Sequence, residues 1–150
     1  MKKRISGLLC LLLVCLAGCG TGDPPPALEA GVWQLTTLQS AKQEGQIVAH
    51  GPGASGVPDT SVELQLTCEA AEGVLTFSDE TNDRTCTGSY RLIESGTQSH
   101  IYEITVEGTD GMAVASRTTG PDKRAPATLV VQLGDRAGYF ALSETRVPDN

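Results

Sequence analysis

The side chains best suited to chemistry are five cysteines and two histidines, and their spacing decides which reactions are open to the chain. His50 and His100 are far apart, and neither has a second ligand or a general base at a helical spacing. Ser55 and Ser99 lack the G-x-S-x-G elbow that presents a serine nucleophile. Asp79, Glu80 and Asp83 cluster, but a calcium loop starting at Asp79 needs Gly at its sixth position and Glu at its twelfth. Arg84 and Tyr90 stand there instead, so the cluster reads as a solvated hairpin tip. Gly51, Gly53 and Gly56 reproduce the spacing G-x-G-x-x-G, which cradles a pyrophosphate only between a strand and the start of a helix. Pro52 and Pro58 interrupt it and a strand pattern follows, so this is a loop. The chain is therefore expected to be no enzyme, with no catalytic residues, no cofactor and no metal.

The amino terminus supplies an address instead. Lys2, Lys3 and Arg4 precede an apolar run from Ile5 through Ala17, and small residues Ala17 and Gly18 end it, as an export signal requires. The run is short for a bilayer core, which needs about 20 residues. Leu16-Ala17-Gly18-Cys19 resembles the lipobox of bacterial lipoproteins at every position. The resemblance implies cleavage before Cys19 and acylation of its sulfur and new amine, palmitate among the chains. Gly20 follows where an Asp marks inner-membrane retention, so the resemblance implies an outer-membrane anchor with the domain facing the periplasm. Together with the strand pattern of the later residues, the chain is expected to divide into a signal peptide (1–18), a lipidated cysteine with a Pro-rich tether (19–30), a β-barrel domain (31–146) and a tail (147–150).

Cleavage removes three of the eleven basic residues and no acidic one, leaving eight against eighteen, a net charge of −10. That balance argues against nucleic acid and against a polybasic membrane-surface role. Cys10 and Cys15 leave with the signal and Cys19 is committed to lipid. Cys68 and Cys86 remain, in an oxidising compartment, where a disulfide closing a loop of about 18 residues is expected and would contribute roughly 3 kcal/mol. A thiolate metal site is the alternative; only His50 and His100 remain to complete it, with no paired spacing.

The elements that must position these groups have period two. Pro24, Pro25 and Pro26 make residues 20–30 an extended spacer. Beyond it, alternation marks strands over 31–38, 61–68, 101–106 and 129–133, and shorter runs at 73–78, 86–93, 112–118 and 138–143. Turn residues separate them at 78–83, 94–96, 108–111 and 134–135. The fold class is all-β: about eight antiparallel strands in a meander barrel or a sandwich. Two connections, 39–60 and 118–127, exceed the usual loop length. Six aromatic residues remain after cleavage, and a core of this size consumes most of them, which disfavours a sugar-binding platform.

Gly31-Val32-Trp33 opens the first strand, and Tyr139-Phe140-Ala141-Leu142-Ser143 followed by Arg146 closes the chain. This pair of ends resembles the lipocalin-like group of small β-barrels. The resemblance implies that Gly31 and Trp33 start the first strand and that Arg146 packs over the Trp33 ring. Cys68, Leu75-Thr76-Phe77, Cys86 and Gly88-Ser89-Tyr90 also resemble bacterial lipocalin-like lipoproteins, in which a disulfide braces the early strands. Eight strands enclose either a filled core or one small ligand. The resemblance thus implies a small apolar ligand. The competing expectation is a contact module or enzyme inhibitor for another envelope protein, working through loops 39–60 and 118–127. Small lipoprotein lysozyme inhibitors and META-type heat-shock lipoproteins share parts of this pattern.

Overall fold

Alternating apolar and polar residues make strands whose inward faces must be covered, and this chain covers them by rolling the sheet closed. A computed structural model describes residues 23–43, 45–117 and 126–145. A 3₁₀ turn at Leu28–Ala30 precedes ten strands: β1 (Gly31–Ser40), β2 (Ile47–His50), β3 (Val62–Glu63), β4 (Leu66–Ala71) and β5 (Val74–Asp79). The others are β6 (Arg84–Ser95), β7 (Ser99–Val106), β8 (Thr109–Arg117), β9 (Ala127–Leu133) and β10 (Arg136–Thr145). Strands β4 to β10 form an up-and-down antiparallel meander, and β10 pairs back onto β1 from Gly31↔Thr145 to Ser40↔Arg136. With β4 holding the other edge of β1 at Trp33↔Cys68 and Gln34↔Thr67, eight antiparallel strands close a barrel. The fold is all-β, as the alternation implies, and of the two architectures it left open, barrel or sandwich, it is the meander barrel.

Two hairpins turn as tightly as the backbone allows. Glu72-Gly73 and Glu107-Gly108 all have positive φ (51°, 81°, 48° and 80°), the pattern whose twist matches that of the strands it joins. Inward-facing Gly88 and Gly111 serve close approach instead. A Cβ there would lie 2.2 Å from the Thr105 carbonyl oxygen and 2.3 Å from that of Gln132.

The structure departs from the sequence reading in four places. First, residues 61–68 are not one strand. Val62–Glu63 pairs in parallel with β2, and the chain then changes partner: the Leu64 amide donates to His50 O, and the Gln65 amide to Thr81 Oγ1. Alternation continues across that break because both halves are extended. Second, loop 39–60 contains β2, which takes the edge of β1 at Thr37–Gln39, beyond the point where β4 leaves it. Strands β2 and β3 are thus a flap beside the barrel wall.

Third, the expected Cys68–Cys86 disulfide is absent and both thiols are free. Cys68 lies opposite Phe77 on β5, and Phe77 lies opposite Cys86 on β6. The two cysteines are level but two strands apart, roughly 10 Å, which exceeds the reach of a disulfide, with an aromatic ring between them. Fourth, the residues read as a spacer lie on the barrel from Asp23 onward. Leu28 is fully buried, His100 Nε2 meets Pro25 O at 3.2 Å, and Arg117 pairs with Asp23 at 3.3 Å.

Candidate functional site

The two ends of the barrel differ. The 3₁₀ turn closes one end, the base, and buries Leu28 in the core cluster that also holds Trp33 and Tyr102. The Leu28 amide donates to Tyr102 Oη (3.0 Å), and the Trp33 indole N–H donates to Leu28 O (2.8 Å). Glu29 accepts the Tyr90 hydroxyl, which itself accepts the Gly73 amide (3.3 Å). Burial first, and then this bond to Glu29, push Tyr90 up to about 12. The base is filled.

The opposite end, the mouth, is open. Here a cavity of about 390 Å³ takes lining residues from all eight barrel strands. Its wall is apolar: Leu38, Leu66, Phe77, Val106, Val131, Leu133 and Phe140. Phe77 and Phe140, with centroids 6.2 Å apart, belong both to this wall and to the packing below it, so they mark the cavity's boundary with the filled base. Space remains because inward positions near the mouth are small. Gly138 has no side chain, a Cβ there would meet the Phe140 ring at 2.7 Å, and Cys86 and Thr109 add little volume.

Four charged residues, Asp79, Arg84, Glu107 and Arg136, ring this space. The Asp79 carboxylate accepts the Asn82 amide (3.1 Å) and Asn82 Nδ2 (2.7 Å), so the acidic cluster at 79–83 is a hairpin tip capped by its own side chains. Burial, and then a hydrogen bond to Glu107, push the Cys86 thiol up from its ordinary value. Arg136 approaches Asp135 at 3.8 Å, and Asp135 also meets Lys42 at 3.3 Å.

The remaining candidates fall elsewhere. Gly51 lies against β1: its amide donates to Thr36 O (2.9 Å), and a Cβ would sit 1.8 Å from Leu35 O. The glycine spacing therefore serves loop packing. It borders an outer groove of about 300 Å³ between residues 51–54 and the outward side chains of β1 and β10. His50 Nδ1 lies 2.8 Å from Ser61 Oγ, a pairing that nothing in the sequence signals. Ser61 donates its proton to Pro58 O (2.6 Å), so it accepts from His50, the reverse of what a nucleophile needs. His100 borders the base, 6.5 Å from the Tyr102 ring. Gly31 and Trp33 are both buried at the start of β1. Cys19, Arg146 and most of 118–127 lie outside the described residues, so the Arg146 contact with Trp33 does too. Among the described residues no group of three His, Cys, Asp or Glu side chains converges as a metal site.

Comparison with protein-family models, curated protein sequences and solved structures finds no match.

Proposed function

We propose that the chain is a non-enzymatic lipoprotein, anchored in the outer membrane through Cys19, whose barrel holds one small apolar molecule in its mouth. One observation supports this most: an apolar-walled cavity of about 390 Å³ at the open end of a barrel filled elsewhere. That volume falls in the range of about 300–1,000 Å³ typical of small-molecule sites. The charged rim sets the ligand's orientation without favouring either charge, since it carries two arginines and two carboxylates.

The reading is tested by extracting the purified protein with organic solvent and analysing the extract by mass spectrometry. A stoichiometric apolar molecule is expected, and Cys86→Trp, which fills the cavity from one wall, should abolish it while the domain stays folded. Retention undiminished in Cys86→Trp would contradict the site. The anchor is tested apart from the ligand: Cys19→Ala should block both acylation and cleavage, and a variant still processed and sedimenting with membranes would contradict the anchor.

A further inference from the structure

We propose that the base of the barrel is a membrane-docking surface, with the exposed Leu92 and Ile93 resting on a zwitterionic lipid headgroup layer and the mouth held away from it. This rests on the reading of Cys19 as the acylated residue and adds a surface and an orientation to it.

The reach of the anchor fixes which end faces the bilayer. Asp23 is already tied to the base by Arg117, and Pro25 is tied there by His100. Four residue steps separate Cys19 from Asp23, which span at most about 14 Å when fully extended. An anchor of that length cannot let the domain turn over. Strand β10 has ten residues, about 33 Å along its length. Tilted as barrel strands are, it places the mouth roughly 25 Å farther from the bilayer than the base.

Exposed apolar side chains gather at the same end. Leu92 and Ile93 are each 49 % exposed and Val74 is 50 % exposed. All three sit at the base end: Val74 follows the Glu72-Gly73 turn, and Leu92 and Ile93 precede the hairpin that carries His100. The register shift between Leu92 and Glu94 leaves Ile93 unpaired on the projecting part of β6. Exposed neighbours Glu72 and Glu94 make the same end acidic, which suits a zwitterionic surface rather than an anionic one.

The full-length lipoprotein is purified from membranes, its mass checked for acyl chains, and reconstituted in phosphatidylcholine vesicles carrying headgroup nitroxides. A fluorophore is placed at Thr97→Cys, on the base hairpin, or at Glu80→Cys, on a mouth hairpin, each in a Cys86→Ser background. The Thr97 label should be quenched about threefold more than the Glu80 label. Adding Leu92→Ser and Ile93→Ser should lower the Thr97 quenching about twofold with acylation unchanged. Acylated protein with equal quenching at both sites, or quenching unaffected by the serine pair, would overturn the docking surface alone. An unmodified Cys19 would overturn the anchor as well.

Discussion

Leu28 has no exposed surface although it follows three consecutive prolines, and two hydrogen bonds hold it there, one from its own amide and one to its carbonyl. Tyr102→Phe removes the acceptor of that amide and leaves a buried donor unpaired, so denaturant unfolding should show a loss of about 1–3 kcal/mol. Exchange of the Leu28 amide should quicken before that of the strands. The neighbouring phenol and thiol make stability alkali-sensitive. Tyr90 and Cys68 are both pushed up to about 12, each chiefly by burial, from ordinary values of 10.0 and 9.0. The fold favours their neutral forms, so their contribution is intact below the ordinary values and lost as pH rises toward 12. Melting temperature should fall across pH 9–12, and Tyr90→Phe should make the fall shallower above pH 10. In the processed form, with Cys10 and Cys15 removed and Cys19 acylated, the native protein should offer one thiol, Cys86, to a thiol reagent, and a second, Cys68, only on unfolding. Trp33 was legible as a core anchor from its place in the first strand. Its partner was not, because composition alone makes the residues before it a spacer.

Among the elements, the meander was legible because its strands alternate and its turns are polar, most of them with Gly. The flap was not. Ile47–His50 is four residues with three apolar side chains in succession, too short to show a period, and Val62 is 63 % exposed despite sitting in an alternating run. The disulfide expectation failed for a related reason: spacing in sequence says nothing about register, and register put Phe77 between the thiols. The inward glycines make a sharper claim about elements. Gly88→Ala or Gly111→Ala drives a methyl group into the backbone of the next strand, so each should destabilise by about 1–3 kcal/mol in urea titration. Gly73→Ala meets no atom and should lose stability only through its positive φ.

At the scale of the whole molecule, one end of the barrel is plugged by the chain's own amino-terminal turn and the other is open. Whether the interior is hollow could not be read from the alternation, which fixes which side chains point inward but not how their volumes sum across eight strands. Gly138 reads in the sequence as a strand glycine, Cys86 as half of a disulfide and Thr109 as a turn residue; in the barrel all three border the space at the mouth. The central claim is that this space takes a small apolar molecule. The most direct measurement is an amide chemical-shift titration of the delipidated soluble domain with a medium-chain alcohol. Saturable shifts are expected at Leu66, Cys86, Val106, Val131 and Leu133, with Leu28 and Trp33 at the base unmoved. Shifts confined to the outer groove at 51–54, or none that saturate, would contradict it.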